Sequence, residues 1–91
     1  MIEIPGKDHI VTFDGRVIEA FGSTGESTRI HIWMVSDVDF SHSRILGECL
    51  RIKYGVGGQH ELSLAFDEHY RAQFEQLAQR IQAGRGQATA G

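Results

Sequence analysis

The sequence predicts an α+β fold, a strongly bent antiparallel sheet or partly open barrel of about six strands capped by one C-terminal amphipathic helix. Three observations predict it. Apolar and polar residues alternate in short runs between residues 9 and 66. Turn-forming residues separate those runs at Asp14-Gly15, at 22–27 and at 55–58. At Asp67 the apolar period changes from two to about 3.6.

Residues 1–8, with Ile2 and Ile4 followed by Pro5 and Gly6, form a lead-in that either lies along a sheet edge or stays loose. The first strand covers 9–13 and the second 16–21, with Asp14-Gly15 as the central residues of a type I′ turn. That pairing sets Phe13 beside Arg16 and Val11 beside Ile18, and it sends Ile10, Val17 and Phe21 to the other side. "GSTGES" is a polar loop. The run "TRIHIWMVSDVDF", residues 28–40, is too long for one strand and splits near Ser36. Ile30, Ile32 and Met34 then face the core, and Arg29, His31, Trp33 and Val35 face away.

Residues 41–47 connect to a strand over 48–54, with Leu50, Ile52 and Tyr54 on one face and Cys49, Arg51 and Lys53 on the other. "GVGG" turns the chain into a strand over 60–66 that faces Leu62, Leu64 and Phe66 inward. Asp67 is the helix N-cap. Tyr70, Phe74, Leu77, Ala78 and Ile81 form one apolar stripe, Gly84 supplies the C′ position, and 85–91 form a flexible tail. One domain over 9–84 is the expectation.

Composition narrows the function. The chain has 91 residues, 41% hydrophobic and 23% charged, as globular domains have. A net charge of −3 gives no global attraction for phosphate backbones or anionic lipid. The single cysteine, Cys49, excludes an internal disulfide. "MIEIPGKDHI" has neither a signal-peptide nor a transit-peptide pattern, and a cytoplasmic location is expected.

His9, His31, His42, His60 and His69 are scattered, with no HxxxH on the helix and no CxxC, so no metal is expected. Cys49 follows Glu48 and lacks the electropositive setting of a nucleophilic thiol. "GVGG" and "GSTG" match neither phosphate-binding nor dinucleotide patterns. "RIKY" carries two positive charges, but its tyrosine shares the core-facing register in an acidic chain, which argues against nucleic acid. Neither an enzymatic activity nor a cofactor is expected.

"VTFDGRVIEA", "RIHIWMVSDVDF" and "FDEHYRAQFEQLAQRI" follow one another in an order that resembles a compact bacterial pleckstrin-homology-like (PH-like) domain. The resemblance implies a binding or assembly module. A phosphoinositide site in that family relies on basic residues around an extended first hairpin loop, whereas "FDGR" offers only Arg16. Lipid headgroup binding by that mode is disfavoured.

Arg29, His31 and Trp33 on one strand, Arg51 and Lys53 on another, and Phe21 make the candidate interaction face. Two other placements of Trp33 fit the sequence: filling the far edge of a half-closed barrel, or turning inward after a one-residue register shift. Apolar residues on both faces of the first hairpin imply either a second copy in an isologous dimer or a sheet that curls over itself. The expectation is a non-enzymatic protein-binding or self-association module. The alternative is weak anionic-ligand or membrane-surface binding through Arg29, Arg51 and Lys53.

Overall fold

The computed structural model describes residues 1–45 and 47–90, the last six of these by backbone alone. Seven strands form two antiparallel sheets. The first is a meander of β1 (Ile2–Pro5), β2 (His9–Phe13), β3 (Val17–Gly22) and β4 (Ser27–His31). The second is a meander of β5 (Val35–Ser43), β6 (Gly47–Tyr54) and β7 (His60–Ala65). A 3₁₀ turn at Glu68–Tyr70 leads into the helix α1 (Arg71–Ala90).

One strand more than expected arises because the lead-in is itself β1. Ile2 lies opposite Phe13 and Ile4 opposite Val11, and Ile4 is buried. Pro5 is tolerated because β1 is an edge strand, where a missing N–H breaks no ladder. The two sheets do not join into one closed barrel. The chain passes from one to the other through a 3₁₀ turn at Ile32–Met34, so the break falls there and not near Ser36. A 3₁₀ turn does not preserve the alternation of a strand. Consequently Met34, expected inside, is 45% exposed, and Val35, expected outside, is 5% exposed. The connection expected over 41–47 is also shorter, since β5 runs to Ser43 and β6 starts at Gly47; Leu46 lies outside the described residues.

The hairpin between β2 and β3 pairs Phe13 with Ile18 and Val11 with Ala20, two residues away from the expected register. The Asp14 carboxylate accepts hydrogen bonds from the backbone N–H groups of Arg16 and Val17, both at 2.8 Å, which holds Asp14 ahead of the turn. Gly15 and Arg16 are then the central pair. Gly15 takes φ +100° and no non-glycine residue among the described residues has positive φ, which excludes a type I′ turn centred on Asp14-Gly15 and matches the glycine-first pattern of type II′. A slip of two residues leaves every side chain on its original face.

Beyond the covalent link, a hydrogen bond from the Lys7 N–H to the Ala65 carbonyl at 2.9 Å joins the sheets. Gly6 permits this approach, because a Cβ there would stand 2.9 Å from the Ala65 carbonyl oxygen. The helix closes what remains open. The Asp67 carboxylate accepts from the His69 N–H at 3.0 Å, as an N-cap should. Phe74, Leu77, Ala78 and Ile81 are buried, and Phe74 stacks on Phe66 with centroids 4.5 Å apart. Phe66 in turn meets the ring of Phe40 edge-on at 6.0 Å.

Gly84 is interior to the helix, whose backbone continues to Ala90, so the helix does not stop at Gly84; Gly91 lies outside the described residues. A Cβ at Gly84 would lie 2.7 Å from Ile32 Cδ1. This glycine serves close packing of helix on turn, a use that sequence spacing does not distinguish from a C′ role.

A polar seam fixes the start of the helix to the second sheet. Arg71 donates to the Glu48 carboxylate at 2.9 Å and pairs with Glu75 at 3.2 Å, and His42 reaches Glu48 at 3.1 Å. The guanidinium of Arg71 also sits 5.4 Å from the centroid of the Phe40 ring. Further along, the Gln82 amide donates to the Val38 carbonyl at 3.2 Å.

Two predictions follow from this packing. Phe74→Ala removes a fully buried ring of the common core, and urea denaturation should show a loss of about 3–5 kcal/mol, a large fraction of the stability of a chain of this size. Acid should also destabilise the fold. The hydrogen bond with His42, then that with Arg71, holds the Glu48 carboxyl below its ordinary value of 4.5. The Arg51 side chain lowers Asp39, and the backbone N–H of Val17, then that of Arg16, lowers Asp14. A depressed folded-state value means that the stabilisation is complete above the unfolded-state value and is lost as pH falls through the folded one. Melting temperature should therefore drop below the ordinary carboxylate range, and Glu48→Gln should flatten part of that drop.

Candidate functional site

The register of the first sheet arranges its outer face in rows. One row runs Pro5, Ile10, Phe21, Ser27 across β1 to β4, and the next runs Glu3, Thr12, Glu19, Arg29. Ile10 and Phe21 are directly opposite one another and remain 47% and 43% exposed. Arg29 approaches Glu19 only to 3.9 Å. Val17, expected to emerge beside Ile10 and Phe21, is buried at the turn end of β3, opposite His31.

At that end the chain leaves β4, and the 3₁₀ turn pushes Trp33 outward to 73% exposure. Neither inward placement of the indole holds. The ring of His31 meets it edge-on at 5.5 Å. Trp33 is the shared wall of two shallow hollows of about 310 Å³ each. Arg16, His31 and Ile32 line one, and Met34, Val35, Ser36, Gly55 and Val56 line the other. A hydrogen bond from the Gly55 N–H to the Met34 carbonyl at 3.0 Å ties the glycine loop to the turn, and Val56 at its tip is exposed. Trp33, Met34 and Val56 therefore present a small apolar ridge held by backbone bonds.

The second sheet is different. Arg51 makes a bidentate pair with Asp39 at 2.9 and 2.8 Å and lies 4.0 Å from Glu61. The Asp39 partner raises the Arg51 guanidinium above its already high ordinary value. Lys53 lies in register between Asp37 and Glu61. Cys49, expected on this outer face, is buried, so the face is charged only over the half of β6 nearer Tyr54.

The candidate set is thus divided. Phe21 and Arg29 share the outer face of the first sheet, His31 and Trp33 stand at its turn end, and Arg51 and Lys53 belong to a sheet where carboxylates alternate with them. Met34, Val56, Ile10 and Glu3 join the surface without having been in the set. The signal for Val56 was a lone apolar residue among glycines, which period-based reading discards as a turn.

Among the described residues no three or more His, Cys, Asp or Glu side chains gather as metal ligands, and no helix is long and apolar enough to cross a membrane. No protein-family model matches the chain, and no curated protein or solved structure matches it either. Fold and surface together define an α+β protein of two antiparallel sheets closed by a helix, with an exposed aromatic turn.

Trp33 is the sole tryptophan, so it reports on this turn directly. Its fluorescence in the folded chain should have the red-shifted maximum of a solvated indole and be quenched by acrylamide nearly as well as in urea. A blue-shifted, protected emission would contradict the outward placement.

Proposed function

We propose that this chain is a non-enzymatic, PH-like protein-binding module that engages its partner through the Trp33 turn. The observation that carries this reading is the 73% exposure of Trp33 beside exposed Met34 and Val56, on backbone held by the Gly55 to Met34 hydrogen bond. A large aromatic side chain on a pre-ordered turn supplies contact area with little conformational entropy left to lose, which is the character of an interface anchor. The hollow on either side gives a partner's side chains somewhere to go. The PH-like reading draws support from the order of four strands, three strands and one terminal helix.

Anionic-ligand binding has less support. Of its three cations, Arg51 is committed to Asp39, Lys53 sits between two carboxylates in register, and Arg29 stands on the other sheet near Glu19. Arg51 and Lys53, matched in this way, add little to the attraction for a phosphate surface, and Arg29 alone makes no patch.

A photo-crosslinking amino acid placed at Trp33 and, as a control, at exposed Gln76 on the helix tests the proposal in the cells that make the chain. Discrete adducts of defined mass at position 33 and none at 76 are expected. Equal or absent adducts at both positions, or strong salt-sensitive retention on anionic vesicles instead, would replace this reading with the anionic one or with neither.

A further inference from the structure

We propose that the outer face of the first sheet binds the same face of a second copy, in an isologous dimer whose two-fold axis lies parallel to the strands between β2 and β3. The inference rests on the reading of the chain as a protein-binding module, and it names the partner for a surface that the Trp33 turn does not include.

The register supplies the argument. A two-fold axis along the strands keeps each row at its own level and reverses its order, so β1 faces the second copy's β4 and β2 faces its β3. The charged row reads Glu3, Thr12, Glu19, Arg29, acid at one edge and base at the other. Reversed upon itself, it sets Glu3 against the second copy's Arg29, and Arg29 against its Glu3. The neighbouring row, Pro5, Ile10, Phe21, Ser27, sets Ile10 against Phe21 twice over. Apolar contacts fall at the centre and opposite charges at the rim, as interfaces are built.

The other in-plane axis, perpendicular to the strands and midway between the two rows, exchanges them. Glu19 would then face Phe21, and Thr12 would face Ile10, burying polar groups against apolar ones. Of the two axes, only the one along the strands sets Glu3 against Arg29. The charges it uses are available: among the described residues Glu3 enters no salt bridge, and the Arg29 side chain is 68% exposed with Glu19 no closer than 3.9 Å.

Four strands about 4.8 Å apart and five residues long give a face of roughly 300 Å² in projection. Standard stable interfaces bury about 800 Å² of accessible surface on each partner, so the dimer belongs to the weak, concentration-dependent class.

Sedimentation equilibrium over a wide concentration range tests it, with circular dichroism to confirm each variant is folded. The chain itself should dimerise reversibly. Glu3→Lys and Arg29→Glu should each weaken association by about tenfold or more, since each turns two attractions into two repulsions. An equimolar mixture of the two variants should recover the original affinity, because the mixed dimer carries Lys against Glu at one rim and Arg against Glu at the other. Phe21→Arg should abolish dimerisation, and Trp33→Ala should leave it unchanged. A monomer throughout, variants that associate as tightly as the original, or a mixture no tighter than its components would overturn the inference. Loss of the dimer in Trp33→Ala would overturn it too, moving self-association to the turn and leaving the protein-binding reading in place.

Discussion

The contact on which this structure depends is the stack of Phe74 on Phe66. Each sheet has one apolar face, and neither is large enough to cover the other unaided. The helix enters with Phe74, Leu77, Ala78 and Ile81, all buried, and the ring of Phe74 lands on Phe66, the residue that follows β7. Phe66 is fixed in turn by its N–H bond to the Glu48 carbonyl, and Glu48 receives the Arg71 side chain from the helix. Apolar stacking and a polar clasp thus converge on one turn of helix, so the angle at which the helix docks is set there.

Once the helix claims the inner faces, strand parity dictates what is left outside. Ile10 and Phe21 are exposed because Val11 and Ala20 are buried, and no register that differs by two residues alters this. Turn chemistry therefore matters less to the surface than parity does. The Asp14 side chain moves the β2–β3 hairpin by one cross-strand pair, yet the outer face keeps its membership. Parity is lost altogether where the chain stops being a strand. At Ile32–Met34 a 3₁₀ turn carries the chain between sheets, and there Met34 and Val35 exchange the environments that alternation assigns them.

This separates what was legible in the sequence from what was not. The Asp67 cap, the helix stripe and the outward Phe21 follow from local period and local chemistry, whereas the placement of Trp33, open in the sequence, is decided by the 3₁₀ turn. β1 was half legible, because Ile2 and Ile4 alternate but Pro5 and Gly6 read as a loop; an edge position reconciles them. Burial of Cys49 and the role of Gly84 were illegible, since each depends on what tertiary packing brings to it. The Arg51 to Asp39 pair lies between these cases: both residues were in view, but only the register of β5 on β6 makes them neighbours.

That pair also explains why the two outer faces have different prospects. On the second sheet Asp37, Asp39 and Glu61 alternate with Arg51 and Lys53, so the face satisfies its own charges and offers a partner little beyond water to displace. On the first sheet acid and base occupy opposite edges, with apolar residues in the neighbouring row between them. Glu3 and Arg29 are three strand spacings apart within one chain, about 14 Å, too far for a direct bond. The dimer proposed above brings each Glu3 to an Arg29 that it cannot reach within its own chain. In the proposed dimer the separation that keeps Glu3 from Arg29 within one chain sets the register between two copies.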